Sequence, residues 1–81
     1  MAQPSNPRHP SLASAVARNI EHALLRARRK KVDFARMLGV SPMTVHRKFR
    51  GESDFTLSEI DRTAQWLGIG TDDLTATGKT L

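Results

Sequence analysis

Apolar residues recur along this chain at intervals of three and four, and no segment alternates with period two, so helices are predicted throughout. Leu12, Val16, Ile20, Leu24 and Ala27 form one stripe and predict a first helix beginning near Ser11 or Ser14. It ends in the basic run RARRKK, where cations complement the negative end of the helix dipole. Phe34, Ala35 and Leu38 predict a second helix over roughly Lys31–Leu38. Gly39 closes it, because glycine takes the left-handed conformation without a Cβ penalty. Val40 is placed to bury between the second helix and the next. Ser41 is then an N-cap and Pro42 suits the first helical position. A third helix follows over roughly Pro42–Phe49, with Val45 and Phe49 facing inward. Gly51–Phe55 reads as a loop. Thr56 and Glu59 have capping-box spacing ahead of Leu57, Ile60, Ala64 and Leu67, and Gly68 ends that fourth helix. Thr71 is expected to cap a short fifth helix, with Asp72 and Asp73 in its first turn and Leu74 turned inward.

Composition narrows the class. At 81 residues the chain is one domain, able to fold alone with a narrow margin. Three prolines in the first ten residues, with no apolar secretory core, predict a disordered arm at 1–10. The folded domain is then expected over 11–76, with a short tail at 77–81. There is no cysteine, hence no disulfide and no thiolate metal site, which is compatible with a cytoplasmic location. The apolar runs are too short to span a membrane. We find no catalytic constellation: no paired carboxylates with a histidine, no phosphate loop, no metal cluster. His9 and His22 lack ligand company and read as structural or exposed. A binding protein is expected, not an enzyme, with no cofactor, metal, membrane partner or small-molecule ligand.

Charge is unevenly spread. The chain carries +5 overall. From Arg26 to Arg50, nine basic residues stand against one acid, a net of +8. From Gly51 to Gly78, one base stands against six acids, a net of −5. Such a polarised molecule presents its basic half to phosphate backbones. The helix pair at Val32–Gly51 lies in that half, and a helix pair of this kind fits a DNA major groove.

The ordered set Phe34-Ala35, Leu38-Gly39-Val40-Ser41, Val45 and Arg47-Lys48-Phe49-Arg50-Gly51-Glu52 resembles the phage Cro and lambda-repressor-like (XRE-type) helix-turn-helix family. Phe55-Thr56-Leu57-Ser58-Glu59-Ile60, then Ala64 and Leu67-Gly68-Ile69, look like that family's fourth helix. The resemblance covers about Val16 to Leu74. It implies a compact all-α, five-helix lambda-repressor-like domain with the helix-turn-helix at helices two and three. There are departures. The family's usual glutamine at the start of the second helix is Lys31 here, and the capping position before it is Lys30. A charged pair that many members place between the first helix and the end of the third corresponds to Leu24 and Phe49, which would meet as apolar groups instead.

The resemblance also implies roles. The start of the third helix would face base edges with Pro42, Met43, Thr44, His46 and Arg47. Arg47 is the foremost of these, since a guanidinium can donate two hydrogen bonds to guanine. Met43 and Thr44 can pack on a thymine methyl, Pro42 offers apolar contact, and His46 reads rather as a surface or phosphate-side histidine. Phosphates would be held by Lys31 and Arg36 on the second helix, Ser41 and the free amides beside it, Lys48 and Arg50 near the end of the third, and Arg28, Arg29 and Lys30. For each of these cations plain solvation is the competing reading. Trp66 lies off the stripe as measured from Leu57. It either packs under the C-terminal segment or, together with Leu74, makes a homodimer contact. The expected function is operator binding by a Cro-like or repressor-like transcriptional regulator, a dimer spanning half-sites about 34 Å apart. Two rival readings compete with it. An antitoxin would need a toxin-binding tail, for which Thr75–Leu81 leaves little room. A protein-interaction module would use the acidic half, with the basic half merely solvated.

Overall fold

Ser11 sets where ordered helix begins: its hydroxyl oxygen accepts the Ser14 N–H at 3.1 Å. The computed structural model of the chain describes residues 11–77, and among them are five helices and no strand. The expected arm at 1–10, and the tail beyond its first residue, lie outside the described residues. Helix α1 runs Leu12–Ala27, α2 Lys31–Leu38, α3 Pro42–Phe49, α4 Leu57–Leu67 and α5 Thr71–Thr75. The all-α five-helix expectation, with a helix-turn-helix at α2–α3, therefore holds.

Helix α1 is the central strut, packing on α3, α4 and α5. It buries Ala15, Val16, Ala17, Ile20, Ala23 and Leu24. Leu12 and Ala27, expected on the same stripe, are exposed because they sit at the helix ends, beyond the reach of the packed neighbours. The helix stops before most of the basic run. Arg28 caps it in the left-handed conformation (φ 57°), with its N–H directed at the Leu24 and Leu25 carbonyls. An L-residue there is strained by about 1–2 kcal/mol.

Every aromatic side chain joins one cluster. Phe34, fully buried on α2, has its ring centre 6.0 Å from Phe49, 6.0 Å from Phe55 and 6.2 Å from Trp66. Phe49 and Phe55 meet edge-on at 5.4 Å. This cluster ties α2, α3, the following loop and α4 together, each aromatic pair adding about 0.5–1.5 kcal/mol beyond area burial. Leu24 and Phe49 both contribute to the same core.

Helix α4 starts at the expected capping box: Thr56 Oγ1 accepts from Glu59 N at 3.1 Å, and Glu59 Oε1 accepts from Thr56 N at 2.9 Å. The start of α5 differs from expectation. Gly70, not Thr71, is the N-cap, and the Asp73 carboxylate accepts the Gly70 N–H at 3.3 Å. Backbone leaving Gly68 stays extended through Gly70, so Thr71 is already the first helical residue. The end of α5 is tied to α1 by Asn19, whose amide donates to the Leu74 and Ala76 carbonyls at 3.0 and 2.8 Å.

Candidate nucleic-acid interface

Local chemistry builds the α2–α3 turn. Gly39 adopts φ 75°, sending its N–H back to the Ala35 and Arg36 carbonyls, and Val40 N donates to the Ala35 carbonyl at 3.0 Å. The chain then extends at Ser41 (φ −75°, ψ 156°), whose hydroxyl oxygen accepts the Thr44 N–H at 3.1 Å. Pro42 follows at the first helical position, where a missing N–H costs nothing. Helix α3 is thereby started at a fixed residue, which sets the bearing of every side chain on it.

That bearing divides α3 in two. Val45 is buried and Phe49 half-buried toward the aromatic cluster. Pro42, Met43, His46 and Arg47 are exposed. Among the described residues Arg47 and His46 make no side-chain hydrogen bond or ion pair, and Met43 is 57% exposed although large and apolar. Thr44 is half-buried and its hydroxyl lies 3.0 Å from that of Ser41, so its oxygen is already engaged in the cap. Of the five side chains expected to face bases, Pro42, Met43, His46 and Arg47 therefore share one exposed and unencumbered face of α3, with Thr44 at its edge.

The expected phosphate contacts divide differently. Lys31 pairs with Glu21 at 2.8 Å, and its ammonium sits 4.9 Å above the Phe49 ring centre. Arg36 pairs with Asp33 at 3.1 Å, and Arg50 with Glu52 at 3.3 Å. These three are solvent-exposed pairs of small worth, and phosphates can displace the carboxylates at little cost. Arg28 and Lys30 are exposed; Lys30 occupies the N-cap of α2 without a side-chain capping bond, as its chemistry predicts. Arg29 lies flat over Trp66, 4.5 Å from the ring centre, leaving its outer face to solvent.

Lys48 is a correction. Its side chain is 9% exposed, with Nζ 3.1 Å from Glu59 Oε1 and donating to the Asp54 carbonyl at 2.8 Å. It follows Val45 by one turn, so it points inward, and its charge is consumed by α4 rather than available to phosphate. The fold thus has a charged pair between α3 and α4, a pairing that the sequence reading, which gave Lys48 to phosphate, did not contain. Two further corrections concern the expected dimer contact. Leu74 is fully buried against the core and cannot reach a second copy. Trp66 is half-buried between Phe34 and Arg29 and is a core flank rather than an exposed apolar face.

Two features were missed by sequence reasoning. Glu59, read only as a cap, also neutralises Lys48. Arg62, unassigned, donates to the Met37 carbonyl at 2.7 Å and so braces the end of α2 from α4. The spacing Val45, Lys48, Phe49 (i, i+3, i+4) was the available signal for the first. Arg62 carried none. Among the described residues no group of His, Cys, Asp or Glu is arranged to hold a metal, and no helix is long and apolar enough to cross a membrane.

A family model described as the BetR domain matches residues 10–80. The structure of a hypothetical transcription factor from Neisseria superposes with a TM-score of 0.73 at 21% identity, over 95% of this chain and 86% of that one. HppE also matches. Its cobalt(II) form with substrate gives a TM-score of 0.72 at 25% identity, over 82% of this chain, and its iron(II) form 0.71 at 26%, over 88%. This chain spans only 37–38% of the HppE chain. No curated protein matches the sequence.

Proposed function

This chain belongs to the BetR domain family, and from that premise we propose that it is a sequence-specific double-stranded DNA-binding regulator of transcription. One observation carries the proposal: the exposed face of α3 projects Met43, His46 and Arg47 outward from the basic half of the molecule, with nothing among the described residues claiming them. The likeness in fold to a hypothetical transcription factor, 86% of whose chain is covered, supports it. Fold alone does not suffice, because the same helical architecture occurs as just over a third of HppE.

The proposed mechanism separates holding from reading. Lys31, Arg36, Arg50, Arg28, Lys30 and the outer face of Arg29 contact phosphates, with the Ser41 and Met43 amides at the α3 N-terminus, which the cap leaves free, offering a further anion site. Arg47 reads a guanine by two hydrogen bonds, Met43 and the Thr44 methyl supply apolar contact, and His46 lies toward the backbone. The protein acts by occupying its operator in the Cro or repressor manner, without catalysis. Any dimer forms through surface other than Leu74 and Trp66.

Selection of bound duplexes from random DNA, followed by titration, tests this. With about five phosphates engaged, log affinity should fall with log salt at a slope of roughly −4.5. Arg47→Ala should cost about 1–3 kcal/mol at one guanine-containing position and leave the salt slope almost unchanged. Unchanged sequence preference in that variant would remove Arg47 from the reading role. A salt-insensitive complex would favour a protein partner.

A further inference from the structure

The start of α3 borders an apolar recess at the margin of the core. Val32, on the first turn of α2, is 45% exposed. Together with Ala35, Arg36, Val40 and Pro42 it lines an open notch of about 300 Å³ between α2 and the start of α3. Ala35 is buried, Val40 half-buried, and Val32, Arg36 and Pro42 stand exposed around them. Pro42 is the first residue of α3, so the notch opens beside the Ser41 cap and one residue from Met43.

Its surroundings limit what can enter. Arg36 is charged and lines the notch, and the α3 N-terminus, with its partial positive charge, begins at its rim with Pro42. An apolar protein segment docking here would have to desolvate those charges. A DNA major groove does not impose that cost: phosphates meet the cations, and among the base edges thymine presents an apolar group, its 5-methyl.

We infer that the notch between Val32, Val40 and Pro42 receives a thymine 5-methyl group at the edge of the sequence read by α3, an assignment that rests on the DNA-binding reading above. Discrimination here works by loss. A pyrimidine lacking the methyl loses the apolar contact with Val32, Val40 and Pro42 while every hydrogen bond elsewhere is kept. Burying one methyl corresponds to about fourfold in affinity.

The test uses the tightest duplex recovered by selection from random DNA, with each thymine replaced singly by deoxyuridine, which deletes the methyl and nothing else. One replacement should weaken binding of the unaltered protein about fourfold. In Val32→Ala that same replacement should matter much less, and Val32→Ala should keep its unfolding midpoint because Val32 lies outside the core. If no thymine is sensitive, or the recovered site has none, the inference is wrong while the DNA-binding reading stands. A penalty undiminished in Val32→Ala places the methyl elsewhere and also overturns it. Failure to recover any preferred duplex overturns both.

Discussion

Replacing Lys48 by methionine should destabilise the fold by about 3 kcal/mol although the residue lies on the helix proposed to touch DNA. The ammonium is 3.1 Å from Glu59 Oε1 and 2.8 Å from the Asp54 carbonyl, and the two charged side chains are 9% and 14% exposed. Removing one partner from a pair this buried strands the other charge, at about 3–5 kcal/mol. The lower end applies because Glu59 keeps its bond to Thr56 N and methionine fills most of the vacated volume. For the 67 residues described, total stability is on the order of 3–10 kcal/mol, so a third or more is at stake. Glu59→Gln retains an oxygen for the cap and should cost about 2 kcal/mol. The double variant strands nothing, and should be about 2 kcal/mol more stable than the sum of the singles predicts. Urea unfolding followed by the fluorescence of Trp66, the chain's single tryptophan, reads all four proteins. At a slope near 1 kcal/mol per molar, Lys48→Met should lower the midpoint by about 2–3 M. A midpoint equal to that of the unaltered protein, or strictly additive singles, would refute the pairing.

Arg28→Gly should raise the melting temperature by about 3–6 °C, since glycine relieves the left-handed strain at φ 57° and gives back part of that gain as chain entropy. Scanning calorimetry checks it, and an unchanged or lower transition contradicts the strain. Trp66→Ala should cost about 3 kcal/mol through lost packing on Phe34, with no change in sedimenting mass. A change in mass without loss of stability would restore the interface role set aside above.

The helix starts were legible because capping is local chemistry: Ser11, Ser41 and Thr56 each bond an amide three residues on. The α2–α3 turn was legible for the same reason. Burial was legible only where a stripe ran through the middle of a helix. Leu57 illustrates the limit: it fits the α4 stripe by spacing yet is 82% exposed, because nothing packs over the first turn there. Taking Leu57 as the inward reference also misplaced Trp66, which is only about 60° around the helix from fully buried Thr63. Lys48 was misread because charge was taken as a sign of exposure. Its partner comes from another helix, and periodicity within one helix cannot announce that. The exposure of Pro42, Met43, His46 and Arg47 on α3 followed from sequence. The notch at Val32 did not, since it exists only once α2 and α3 are set against each other.

Glu59 receives two hydrogens on one oxygen, from the Thr56 amide and from Lys48. The first turn of α4 and the last turn of α3 are therefore closed by a single carboxylate, and neither can fray without releasing the other. The reading surface is consequently separable from its mount at the level of individual positions. On the proposed reading, residues 43 and 47 can be exchanged to change what is recognised, whereas 45, 48 and 49 are fixed by what lies beneath. A transplant of α3 into another scaffold of this kind would carry its preference intact only if the recipient also offered a carboxylate at the start of its fourth helix.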